Sequence, residues 1–77
     1  MLENLTDKSL TIIDDDEPFV RRLSKAMEKR GFIVSHALNI SDGKKLVKSD
    51  PPAFAVVDLK LNDGNGLEVV EQIRKVR

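Results

Sequence analysis

The sequence predicts an α/β fold built on a parallel sheet, and three observations lead there. Short apolar runs of strand length alternate with segments of helical period. Proline and glycine mark most changes from one to the next. Each connection is long enough for a crossover helix, so the order β-α-β-α-β-α implies parallel strands joined by right-handed crossovers.

Leu10–Ile13 is a short, partly β-branched run and forms the first strand. The segment "EPFVRRLSKAMEKRGF" then changes period. Phe19, Leu23, Ala26 and Met27 fall at i, i+4, i+7 and i+8, one face of a helix, with Arg21, Arg22, Lys25, Glu28 and Lys29 elsewhere on it. Pro18 suits the first turn, Asp16 or Glu17 complements the positive end, and Gly31 marks the stop. Ile33–Ala37 is the second strand. Asn39 or Ser41 caps a short helix over Asp42–Lys48, with Leu46 and Val47 facing inward. Asp50-Pro51-Pro52 ends it, because a proline disfavours helical geometry in the residue before it. Phe54–Val57 is the most apolar run and forms the third strand, ending at Asp58. "LKLNDGNG" reads as a loop with two glycines. Leu67, Val70 and Ile73 then define a third helix, running to about Lys75.

The 77 residues suffice for one small domain, spanning 1–77. Thirteen basic and thirteen acidic residues give zero formal net charge, so electrostatics supply no reason to expect nucleic acid or an anionic membrane as the main partner. The absence of cysteine excludes disulfides and thiolate metal sites. No apolar run approaches the roughly 20 residues of a membrane span, and "MLENLTDKS" lacks the order of a signal peptide. A soluble, cytoplasmic protein is expected. With no Trp or Tyr and three Phe, its core must be aliphatic.

The acidic residues cluster where the strands end. In parallel sheets, ligands occupy the crevice beyond the carboxyl ends of the strands. Asp14 and Asp15 follow the first strand and Asp58 follows the third. If those strands are neighbours about 4.8 Å apart, three carboxylates converge and repel one another unless a cation joins them. Hard oxygen donors of this kind suit Mg²⁺, and such an ion would neutralise an incoming phosphoryl group as an aspartate oxygen attacks phosphorus. The plainer alternative is that these residues solvate loops or cap a helix. The register after the first strand leaves both Asp15 and Asp16 open as the ligand.

"IIDDDEPFVRRLSKAMEKRGF" followed by "PPAFAVVDLKLNDGNGLEVVEQIR" resembles the receiver domain of two-component response regulators, in detail the RegA/ActR type of redox-responsive transcriptional regulator. The resemblance implies a flavodoxin-like fold. It makes Asp58 the phosphoacceptor, Asp15 the direct Mg²⁺ ligand, Asp14 its neighbour acting through water, and Lys60 the residue whose backbone carbonyl binds the metal. The implied donor is a phosphohistidine on a sensor histidine kinase. Many receivers carry a proline four residues after the phosphoacceptor. Asn62 stands there in this chain, as a non-proline does in the RegA/ActR type.

A complete receiver has five strands in the order 2-1-3-4-5. This chain is therefore expected to be a partial, (β-α)3 receiver lacking the family's strands 4–5 and helices 4–5. The family's switch Thr or Ser and its late Lys then have no counterpart, since Lys44, Lys45 and Lys48 lie on the second helix. Transfer to Asp58 is expected to be slow or absent. The third strand becomes an edge, and self-association through it or through the open sheet face is expected. DNA binding would need a downstream domain, and no membrane partner is expected.

Other features carry less. His36 reads as a strand residue, and the Arg21, Arg22, Lys25, Lys29 and Arg30 face as solvated helix surface or a kinase contact. "DLKLNDGNG" fails as a calcium loop, with Asp63 at position six and Val69 at twelve. "DDDEP" departs from the start of aspartyl phosphatases at Pro18. Three functions follow: a phosphoacceptor receiver module that is not a turnover enzyme, a non-catalytic interaction or dimerisation module on the same scaffold, and a Mg²⁺-dependent phosphohydrolase using Asp58.

Overall fold

The computed structural model describes residues 6–76. Strands β1 (Ser9–Ile13), β2 (Ile33–Ala37) and β3 (Phe54–Val57) form one parallel sheet in the order β2-β1-β3. Helices α1 (Glu17–Lys29), α2 (Ile40–Ser49) and α3 (Leu67–Val76) alternate with them. The register sets Ile13 beside both Ala37 and Val57, so the tips of β1 and β3 end level. The predicted α/β class and parallel sheet are those observed.

The topology explains the layers. The first crossover runs from β1 to β2 and the second returns past β1 to β3. Two right-handed crossovers moving in opposite directions place their helices on opposite faces. On one face Leu10, Ile12 and Val20 form a cluster joined by Leu23, Met27, Phe32 and Val34. On the other, Ile13, Ala37, Ile40, Val47, Leu61 and Val69 form a second cluster under α2 and α3. Alternation along β1 divides the two, with Leu10 and Ile12 on one side and Ile13 on the other. Thr11, buried on the α2–α3 side, has its hydroxyl hydrogen-bonded to that of Ser35 at 2.9 Å.

Capping fixes the helix starts. Asp16 accepts from the Phe19 N–H at 3.1 Å, with Pro18 in the first turn of α1. Gly31 follows the helix at φ 97°, a conformation that favours glycine. Asn39, not Ser41, caps α2 and accepts from the Asp42 N–H at 2.8 Å, so the helix begins at Ile40, two residues before the predicted start.

Three expectations need correction. The segment read as a loop contains a hairpin, β4 (Lys60–Leu61) and β5 (Gly64–Asn65), paired antiparallel. It is too short to show a period. On α1 the fully buried residue is Val20, while Phe19 is only half-buried. On α3 it is Val69, and Leu67 is 50% exposed. Periodicity showed that each helix has an apolar face, but the surface it meets selects the stripe. The edge position expected of β3 is the one observed. The strand pairs with β1 alone among the described residues, and Phe54 and Val56 are each 40% exposed because α1 lies over β1 and β2. Phe54 keeps one partner, Phe32, edge-to-face with centroids 5.4 Å apart.

Candidate functional site

Two hydrogen bonds extend the ladder one residue past β1. The Asp14 N–H donates to the Ala37 carbonyl at 3.2 Å, and the Asp58 N–H donates to the Ile13 carbonyl at 2.9 Å. They hold Asp14 and Asp58 at adjacent strand tips, at the point where the direction of the crossovers reverses. Asp14, Asp15 and Asp58 each offer a carboxylate oxygen, and these oxygens all lie within 4.8 Å of one another. Asp16 is turned away to cap α1. The structure thus brings three of the predicted aspartates together and gives the fourth a structural task.

Two of the three are anchored. Asp14 Oδ1 accepts from the Asp16 N–H at 2.9 Å, and Asp58 Oδ1 accepts from the Lys60 N–H at 3.0 Å. Each bond fixes one oxygen of its carboxylate. Oxygens opposed across an ion with 2.1 Å bonds stand about 4.2 Å apart, and across one with 2.3–2.6 Å bonds about 4.6–5.2 Å. The spread of this cluster therefore fits a hard divalent cation. At Lys60 it is the amide that touches Asp58.

The segment after Asp58 meets the site through Lys60, and in it three residues have roles that the sequence did not reveal. Leu61 is buried in the α2–α3 core. Gly66 lets the chain pass so close to β3 that a side chain there would run into the Asp58 carbonyl oxygen. Its N–H donates to the Leu59 carbonyl at 3.1 Å, and its own carbonyl accepts from Val69 and Val70 to start α3. Asp63 accepts from the Ile40 N–H at 2.9 Å and the Ser41 N–H at 3.2 Å, satisfying two otherwise orphaned amides of α2. An N-cap residue normally precedes its helix, so only chain folding reveals one lying 23 residues downstream.

The backbone bond from Ile40 is the main cause that holds the Asp63 carboxyl below its ordinary range. The hydrogen bond from Lys44, at 2.8 Å, does the same for Glu68 and ties α2 to α3. A carboxyl with a lowered folded pKa contributes stability above its unfolded pKa, and the contribution is lost as pH falls through the folded value. Thermal melts between pH 6 and 3 should show the midpoint falling below about pH 4. The Asp63→Asn/Glu68→Gln variant should lose less over that range. Parallel curves for the two proteins would remove these carboxylates from the acid response.

His36 lies exposed on β2, and Arg21 pairs with Glu17 at 2.8 Å on the outer face of α1. Neither joins the acidic cluster. No helix among the described residues is long and apolar enough to cross a membrane.

The pattern of the response regulator receiver domain matches residues 10–77. The chain is 58% identical over 71 residues to the photosynthetic apparatus regulatory protein RegA of Cereibacter sphaeroides, covering 92% of this chain and 39% of that protein. It is 54% identical over 68 residues to the acid tolerance regulatory protein ActR of Rhizobium meliloti, covering 88% and 35%. It thus spans less than two-fifths of the length of either relative. A response regulator protein from Burkholderia pseudomallei, crystallised with a phosphorylated aspartic acid, calcium ion and citrate, superposes with a TM-score of 0.86. That match has 32% identity and covers 92% of this chain and 42% of the other. A CheY-like receiver domain protein from Methanospirillum hungatei gives the same TM-score at 28% identity, covering 94% and 58%.

Proposed function

Since the chain belongs to the response regulator receiver domain family, we propose that Asp58 accepts a phosphoryl group from a phosphohistidine of a sensor histidine kinase. The observation that carries this reading is the convergence of Asp14, Asp15 and Asp58 at the tips of β1 and β3. The phosphorylated aspartic acid of the Burkholderia relative supports it.

The chain's own groups divide the work. The Lys60 N–H on Oδ1 orients the Asp58 carboxylate and leaves Oδ2 to attack. The new bond joins that oxygen to phosphorus, the phosphorus–nitrogen bond of the phosphohistidine breaks, and the imidazole keeps the electron pair. Asp14, Asp15, Asp58 and the Lys60 carbonyl would hold Mg²⁺, whose charge, when bound, neutralises the phosphoryl oxygens. Control of transcription by the whole protein belongs to the same proposal, with DNA contact outside residues 1–77.

Incubation with Mg²⁺ and acetyl phosphate or phosphoramidate, followed by intact mass, tests the assignment. A slowly formed adduct with the mass of one phosphoryl group, absent from Asp58→Asn, is the expected result. An adduct that persists in that variant would sink the assignment. The exposure of Phe54 and Val56 favours a second reading, an interaction module that associates through β3 without phosphotransfer. No adduct would favour it, and continuing release of phosphate would indicate a phosphohydrolase.

A further inference from the structure

The β4–β5 hairpin carries the amide that holds Asp58. Its two turn residues are Asn62 and Asp63. Two-residue hairpins match strand twist through primed turns, which need positive φ at a central residue. No described non-glycine residue has positive φ, and of the hairpin residues only Gly64, after the turn, does, at 148°. The hairpin is also held from outside. Leu61 anchors one side by burial, and Asp63 anchors the tip through its two bonds to α2.

We propose that Asp63 is a positioning residue for Asp58, pinning the hairpin to the first turn of α2 so that the Lys60 N–H is held on Asp58 Oδ1. The contacts form an unbroken series. The amides of Ile40 and Ser41 grip the Asp63 carboxylate, the hairpin ladder sets Lys60 opposite Asn65, and Lys60 donates to Asp58 at 3.0 Å. The helix end favours a carboxylate over a neutral group, so charge as well as shape is used. The consequence for phosphorylation rests on the reading of Asp58 as phosphoacceptor. The hold on the Lys60 amide does not.

The test pairs two measurements on the wild type and the Asp63→Ala, Asp63→Asn and Val20→Ala variants. The first is amide hydrogen exchange at Lys60 relative to Ile12, which reports the hairpin apart from global unfolding. The second is the initial rate of Asp58 modification by acetyl phosphate with Mg²⁺. Loss of hydrogen bonds to a charged acceptor should raise relative Lys60 exchange about tenfold or more in Asp63→Ala. Misplacement of the carboxylate should slow modification by about tenfold or more. Asp63→Asn, which keeps one acceptor oxygen, should recover part of both. Val20→Ala, which weakens the α1 core on the opposite face of the sheet from the hairpin's buried Leu61, should melt earlier and leave relative Lys60 exchange unchanged. Unchanged Lys60 exchange in Asp63→Ala would overturn the proposal, as would an equal rise in Val20→Ala. If Asp63→Ala does not fold, the Asp63→Asn result decides. If wild-type Asp58 takes no phosphoryl group, the functional reading fails while the exchange measurement still judges the positioning.

Discussion

Replacing Gly66 with alanine is expected to cost about 1–3 kcal/mol of folding stability, the usual range for forcing atoms into filled space. The added methyl would collide with the Asp58 carbonyl oxygen and stand 2.9 Å from Val57 Cγ1. Neither obstacle is the end of a flexible side chain. The start of α3 must therefore move away from the tip of β3, straining the bond from the Gly66 N–H to Leu59. The displacement acts on the acidic cluster directly, because Asp58 belongs to both. Urea titration measures the stability, and amide chemical shifts should move most at Asp58, Leu59 and Leu67. An unchanged midpoint, with shifts confined to Gly66, would mean that α3 is free to swing and that the close approach does not order the site.

Ile13→Ala should have the larger effect on stability, about 2–5 kcal/mol, since it removes a fully buried branched side chain. Small domains hold only about 5–15 kcal/mol in all. Ile13 lies at the centre of the α2–α3 cluster, and its carbonyl also accepts from the Asp58 N–H. Ile33→Ala, at a position 73% exposed, should stay within about 0.5 kcal/mol and serves as the comparison. A further consequence is coupling to Gly43. A methyl at Gly43 would stand 3.0 Å from Ile13 Cδ1 and 3.1 Å from Cγ2, so Gly43→Ala crowds the wild type. In Ile13→Ala the same methyl enters vacated space. The double variant should therefore be more stable than the sum of the single changes predicts, by about 0.5–3 kcal/mol. Strict additivity would show that α2 has drifted from β1 and that the core does not pack as described.

Part of the site was legible because its signals are local. Asp14 and Asp15 directly follow one apolar run and Asp58 directly follows another, and a parallel sheet brings such positions to one edge. The caps of α1 and α2 were legible for the same reason, each lying within three residues of the amide it satisfies. Asp63 and Gly66 were not. Both sit in a stretch whose composition says only that the chain turns. The role of Asp63 depends on where α2 begins, and that of Gly66 on how closely α3 approaches β3. Neither distance is written in the neighbouring letters.

The sequence by itself determined the alternation of the parallel strands and helices, the limits of β1, β2 and β3 to within a residue, and the aspartates that end β1 and β3. These depend on hydrophobic period and on proline, glycine and capping residues, which act over a few positions. Tertiary structure alone decided which helical stripe is buried, that Lys60–Asn65 forms a hairpin, and that Asp63 caps a helix from a distance. Those outcomes depend on the shape of the opposing surface. Val69 is buried where Gly43 leaves α2 thin, whereas Leu67, equally apolar, stays half exposed with no such surface to meet.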